Sequence, residues 1–265
     1  MDEIMQNVQT VVREAGSIAL RHFENSADNS ISIKPDGSPV SAADMEVDAY
    51  IEATLHKQYP HISYLSEEDV RDIHTGLQWV VDPIDGTANF ITGNPLFGIS
   101  IALLNDKQPI LGVIYSPTSD EMYTAIRGRG ALKNGVPIST SSDTELVEAI
   151  ILVDNGTHER TVRFNGGLRQ TLSTRKALPQ SRKCASRELC AVADGSASGM
   201  IHRALNVWDI AAGVLLVEES GGVVTDLQGN PKDIFTSGIV AGSPAIAREL
   251  SSITKVALDR EGMTP

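Results

Sequence analysis

Only two cysteines, Cys184 and Cys190, occur in 265 residues. That is too few to staple a disulfide framework, so a reduced, cytoplasmic setting is expected. Aromatic residues make up 5%, which leaves Ile, Val, Leu and Ala to fill the core. No apolar run approaches the ~18 residues of a membrane span. The longest candidates, 98–104 and 210–217, have the length of core elements. Asp2, Glu3, Arg13 and Glu14 interrupt the first stretch, so no secretory leader is expected. Basic residues are outnumbered, 22 against 34 acidic, giving a formal net charge of −12. A nucleic acid is therefore not an expected partner, and neither is a membrane. An acidic protein can still handle a small phosphate if divalent cations offset its charge, which directs attention to clustered carboxylates.

Hydrophobic periodicity supplies the elements. Ile4, Val8, Val11, Val12, Ala15, Ile18, Ala19 and Phe23 fall at helical spacing, predicting one amphipathic helix over 3–25. Residues 34–39 form a Pro/Gly-rich loop, and Ser41 is a plausible N-cap for a helix over 42–57. Short strand-like runs follow at 62–65, 78–81, 98–104, 111–115 and 121–126, with Asn134-Gly135 as a hairpin turn. Beyond residue 146 strands and helices alternate: strands at 150–153, 223–227 and 238–241, helices at 158–172, 186–193, 208–220 and 245–258. These orders predict an α+β part over 1–143 and an α/β part over 144–265.

Asp82 and Asp85 bracket Pro83-Ile84 at the end of the apolar run 79–81. A buried carboxylate is costly unless paired or metal-bound. The proline should stop the strand there and turn it outward. Such a turn can aim both carboxylates into one volume, where a divalent ion removes their repulsion. With no His or Cys in the set, Mg²⁺, Mn²⁺ or Ca²⁺ suits it better than zinc. Gly86-Thr87 follows, able to offer backbone N–H groups and a hydroxyl to an anion. A metal pair beside such a nest is what phosphate-ester hydrolysis requires. The same letters also describe a plain Asp-Gly turn. Glu67 and Glu68 follow a strand as Asp82 does, or lie in a solvated loop. Asp209 opens an apolar helix, as an N-cap or at the mouth of a site.

Residues 79–90, WVVDPIDGTANF, closely resemble the first signature of the inositol monophosphatase family, and residues 207–222, VWDIAAGVLLVEESGG, resemble its second. The Glu67-Glu68 pair and the segment from Lys34 to Asp44 fall where that family places further site residues. The resemblance implies a layered αβαβα sandwich of the sugar-phosphatase type, Mg²⁺ as cofactor (two or three ions, with Mn²⁺ as a substitute), a homodimer and lithium sensitivity. It implies Glu67, Asp82, Asp85, Asp209 and the backbone carbonyl of Ile84 as metal ligands. Glu67 and Thr87 would activate the attacking water, with Asp44 supporting Thr87, while Gly86 and Thr87 N–H groups bind phosphate. Substrate contacts would include Asp85, His202 and Asp209, and Glu68 would stand behind the ligands or at the surface. The reaction implied is in-line attack by an activated water, without a phosphoenzyme.

Two stretches depart from the family pattern. Where a Gly-Ser-Ala-Ala-like stretch would follow an arginine, the chain reads Arg182-Lys183-Cys184-Ala185-Ser186-Arg187-Glu188-Leu189. Where an acid would stand seven residues before Asp209, it has His202. A neutral imidazole accepts one hydrogen bond and a charged one only donates, which favours a substrate with a second anionic group. His202 read alone is an exposed residue near a helix start, and the cluster Arg182, Lys183 and Arg187 is helix surface or a grip on a second phosphate. The expected reaction is hydrolysis of a small phosphorylated metabolite, inositol 1-phosphate first. Histidinol phosphate, fructose 1,6-bisphosphate, 3′-phosphoadenosine 5′-phosphate and NADP stand as alternatives, and an interaction protein that kept the fold is the rival class.

Overall fold

The computed structural model describes residues 1–25, 31–33, 39–70, 75–156 and 158–260. The expected loop over 34–39 falls largely outside them, as does Lys34. In chain order the elements are α1 (Asp2–Glu24), β1 (Ile31–Ile33), β2 (Pro39–Ser41), α2 (Ala42–Gln58), β3 (Ser63–Ser66), β4 (Leu77–Asp85) and α3 (Thr87–Ile91). Next come β5 (Gly98–Asn105), β6 (Gln108–Ser116), β7 (Glu121–Ile126), β8 (Ala131–Lys133) and β9 (Val136–Pro137). Then follow β10 (Ile150–Val153), α4 (Glu159–Thr174), β11 (Leu178–Gln180), α5 (Ala185–Ala193), β12 (Gly199–His202), α6 (Val207–Glu219), β13 (Val223–Thr225), β14 (Ile239–Gly242) and α7 (Pro244–Arg260).

Strands β3 to β9 form a seven-stranded sheet in sequence order, antiparallel except for the parallel pair β3–β4. A second sheet has the order β11-β10-β12-β14-β13, with its first three strands parallel. Alternating side chains sort the molecule into layers, because successive residues of a strand face opposite ways. Trp79 and Val81 pack with α1 and α2, while Val80 faces the cluster built from α5 and α6. In β10, Leu152 joins that same central cluster and Ile151 and Val153 face α4 and α7. Helices therefore lie outside both sheets and between them, a layered αβαβα sandwich.

The central layer is tightly built. A Cβ added at Gly112 of β6 would lie 2.9 Å from the Ala212 carbonyl oxygen of α6, so strand and helix meet backbone to backbone. The expected hairpin at Asn134-Gly135 is present, and both residues adopt the left-handed conformation such a turn needs (φ 50° and 79°). Four short elements escaped the periodicity: β2, α3, β11 and β12. The last places His202 at a strand end, not near an exposed helix start.

Candidate active site

Parallel pairing of β3 and β4 sets Ser66 opposite Val81, so the residues that follow, Glu67 and Asp82, emerge at one end of the sheet. The Glu67 amide donates to the Val81 carbonyl at 3.2 Å and fixes that placement. Pro83 does not end β4 as expected. The strand runs on to Asp85, and its register against β5 shifts by one residue: Asp82 opposes Ser100 and Asp85 opposes Gly98. An unbulged strand would send residues three apart to opposite faces. The extra residue turns Asp82 and Asp85 to the same face, and a proline, having no N–H to satisfy, suits the bulge.

The third acid arrives from the other sheet's side. Asn206, not Asp209, caps α6, and Asp209 stands three residues on, where its Oδ2 accepts the Asn206 amide at 2.6 Å. The Ser100 hydroxyl donates to the Trp208 carbonyl at 3.4 Å, holding this helix start beside Asp82's strand partner. One carboxylate oxygen each from Glu67, Asp82 and Asp209 lie within 4.8 Å of one another. At that separation two unit charges repel by about 3.5 kcal/mol at an effective dielectric of ~20. Burial first, then Glu67, Asp85, Asp209 and Asp44, push the Asp82 carboxyl well above the usual carboxylate range. Asp209 is pushed up to about 8, by burial and then by Asp85. Three crowded oxygens of like charge and no nitrogen or sulfur fit a hard divalent cation, which would remove the repulsion that now keeps protons on the site.

Asp85 is placed differently from the other three. Its Oδ2 accepts the Ser186 amide at 2.6 Å and faces the Cys184 thiol at 3.1 Å. Burial, and then Asp85, raise the thiol well above its ordinary value, so Cys184 is a donor here. One Asp85 oxygen is thus held by the loop before α5, and Asp85 stays close enough to raise both Asp82 and Asp209. Gly86 follows with φ 87°, where a Cβ would lie 3.1 Å from both the Leu96 carbonyl oxygen and Cys184 Cβ. Only glycine meets both conditions. Thr87 opens α3, and its hydroxyl donates to the Ile84 carbonyl at 3.1 Å, while the Ile84 amide donates to Asp82. The family resemblance implies that Asp44 supports Thr87. In the structure Asp44 completes the cap of α2, accepting the Ser41 amide at 2.8 Å and the Ser41 hydroxyl at 2.6 Å. Glu68 is half-buried and contributes to raising Asp48, for which burial is the larger cause.

The expected exposure of His202 is overturned: it is 5% exposed, with Nε2 2.5 Å from Glu188 Oε2. Glu188 is fully buried, and its other oxygen accepts the Arg182 amide at 2.7 Å. Burial opposes a charge on His202, but Glu188, Asp154 and Asp209 prevail and raise it. The expected surface cluster divides as well. Arg187 is buried, with a guanidinium nitrogen 2.5 Å from Glu121 and the group over the Tyr123 ring. Lys183 stands 3.5 Å from Asp154. Sequence reasoning missed Asp154, Glu188, Ser186 and Asn89. Asp154 carried the signal that marked Asp82, an acid directly after an apolar strand. Asn89 carried none: its amide donates to the carbonyls of Leu96 and Arg182, each at 2.8 Å, a junction only the folded chain creates.

Residues 1–257 match the model of the inositol monophosphatase family. An inositol monophosphatase of Dictyostelium discoideum is 34% identical over 264 residues, covering 96% of this chain and 95% of that one. A Nus factor SuhB of Salmonella typhimurium is 33% identical over 243 residues, 90% of each chain. The crystal structure of the extragenic suppressor protein suhB from Bartonella henselae superposes with a TM-score of 0.91 at 32% identity, over 96% of this chain and 98% of that one. The chain therefore belongs to the inositol monophosphatase family, a family of phosphoric monoester hydrolases.

Proposed function

We propose that this protein hydrolyses a small phosphate monoester with Mg²⁺ as its cofactor, inositol 1-phosphate being the first substrate to test. The observation that carries the reading is the close knot of half-buried Glu67, buried Asp82 and half-buried Asp209 beside the Gly86-Thr87 turn. Glu67, Asp82, Asp85, Asp209 and the Ile84 carbonyl would hold two or three ions, and Mn²⁺ would serve in their place. Bound divalent cations supply an acidified water and stabilise the departing alkoxide. Glu67 and the Thr87 hydroxyl would orient the attacking water, and the Glu67 carboxylate would take up its proton, with Asp44 behind Thr87. The Gly86 and Thr87 N–H groups would bind phosphoryl oxygens, since the first amides of a helix have no acceptor within it. Asp209 completes the site from the second half of the chain. A boundary near residue 143 is supported by the first sheet ending at Pro137 and the second starting at Ile150.

The same reading makes the protein cytoplasmic, which two free, buried thiols support, and, by family resemblance, a homodimer. The test is phosphate release from inositol 1-phosphate, histidinol phosphate, fructose 1,6-bisphosphate, 3′-phosphoadenosine 5′-phosphate and NADP, with Mg²⁺ and with chelator. Metal-dependent turnover that Asp82→Asn removes is the expected result. Equal activity in Asp82→Asn sinks the metal assignment. Silence across the whole panel favours the interaction role that a relative named as a Nus factor raises.

A further inference from the structure

Lys183 has φ 57°, in the left-handed region where a side chain is costly. Most residues that share this feature close turns: Asp106 and Lys107 in the β5–β6 hairpin, Asn134 before Gly135, Lys176 just beyond α4. Lys183 closes no hairpin. It lies between β11 and α5, in the loop that reaches the metal motif.

The chain around it explains the reversal. Asn89 draws the Arg182 carbonyl toward α3 at 2.8 Å and reaches the Lys183 carbonyl at 3.4 Å. Directly afterwards the Cys184 thiol and the Ser186 amide are committed to Asp85. A backbone pulled both ways within a few residues must turn over at 183, and glycine would do so without strain. A lysine there brings something glycine lacks, an ammonium on a long stem.

Its surroundings say where that ammonium goes. Lys183 Nζ stands 3.5 Å from Asp154 Oδ1, at the outer limit of a hydrogen bond. The other Asp154 oxygen accepts the Gly156 amide at 2.6 Å. Asp154 acts on His202, and His202 acts on Asp209 of the carboxylate knot. Lys183 thus flanks the site on its Asp154–His202 side, with Cys184 next to it on Asp85. The side chain remains 40% exposed, so a ligand can reach it. Arg187, the neighbouring cation, is turned away and spent on Glu121.

Building on the phosphatase reading above, we propose that Lys183 selects the substrate, gripping a second anionic group, phosphate or carboxylate, on the alcohol portion of the phosphate monoester. An ammonium has three N–H donors and the loose contact to Asp154 occupies at most one. The preferred class is a bisphosphate or a phosphorylated hydroxy acid, ahead of a phosphorylated neutral polyol.

The experiment compares kcat/KM for fructose 1,6-bisphosphate, 3-phosphoglycerate and inositol 1-phosphate, with Mg²⁺, in wild type, Lys183→Gly, Lys183→Arg and Asp154→Asn. Glycine relieves the left-handed strain, so that variant should melt no lower than wild type, and a lost grip will not be confused with lost folding. The ratio of either dianionic-type substrate to inositol 1-phosphate should fall about tenfold in Lys183→Gly, through KM. It should persist in Lys183→Arg and rise in Asp154→Asn, which releases the ammonium. The bisphosphate and carboxylate arms show which anion is gripped. An unchanged ratio in Lys183→Gly, with inositol 1-phosphate still hydrolysed, overturns the Lys183 assignment and leaves the phosphatase reading standing. If wild type hydrolyses none of these three, nor histidinol phosphate, 3′-phosphoadenosine 5′-phosphate or NADP, the phosphatase reading fails. Thermal shifts induced by the same compounds with Mg²⁺ then decide the grip, and equal shifts in wild type and Lys183→Gly overturn it.

Discussion

Asp82, at the bulge of β4, and His202, at the end of β12, both bring charge into the interior. At His202 the charge is met within the chain: Glu188 lies 2.5 Å away and is itself completed by the Arg182 amide. At Asp82 burial and then the carboxylates of Glu67, Asp85, Asp209 and Asp44 drive its carboxyl toward the neutral form. The histidine has its charge met inside the protein, and the aspartate is left open to a cation from outside. Burial alone does not separate structure from site; the sign of what surrounds the buried group does.

The contrast predicts opposite responses to removing a charge. Asp82→Asn should lower metal-dependent kcat/KM by about a thousandfold or more. In chelator the same variant should melt higher than wild type, because a like charge has been deleted; a lower melting point would break the comparison. Glu188→Ala should instead destabilise the protein by about 3–5 kcal/mol, measured by urea unfolding, because a buried imidazole loses its partner. Glu188→Met together with His202→Leu should recover most of that loss, as an apolar pair of similar volume does.

A smaller effect follows from pH. Metal-free, Asp209 has its carboxyl raised to about 8 by burial and then by Asp85. Its unfolded value is near ~4. The folded chain then keeps a proton that the unfolded chain releases, so this contribution is complete below ~4 and is lost as pH rises toward 8. In chelator the melting temperature should fall between pH 5 and 8, with a shallower fall in Asp209→Asn or with excess Mg²⁺. The smallest effect belongs to charges that solvent meets. Arg163 and Glu159 form an ion pair of 2.9 Å with both side chains largely exposed. Glu159→Ala should change stability by less than about 0.5 kcal/mol.

Much of this was legible in the residues. Period alone predicts α1, α2 and α7, where an apolar stripe must be buried. The Asn134-Gly135 turn is equally local. The bulge at Pro83 was not legible, because a proline after a strand also reads as its end; pairing with β5 decides between them. The acids Glu67, Asp82 and Asp209 announce themselves by chemistry, but their approach to within 4.8 Å depends on β3 and β4 running parallel and on α6 lying across β5. His202 reads as exposed since β12 is four residues long and lies between Gly/Ser-rich and polar segments. Glu188 was hidden by distance, fourteen residues from its histidine.

The backbone contact of Gly112 with Ala212 bears on how errors in this protein would show themselves. Gly112 opposes Ala102 on β5, two residues from the Ser100 that steadies the start of α6. A methyl group at Gly112 would act as a wedge beneath that helix, lifting its acid away from the other two. The damage would appear less as a missing fold than as a larger appetite for metal, so that a fault in the middle of the sandwich would look, to an assay, like scarcity of a nutrient.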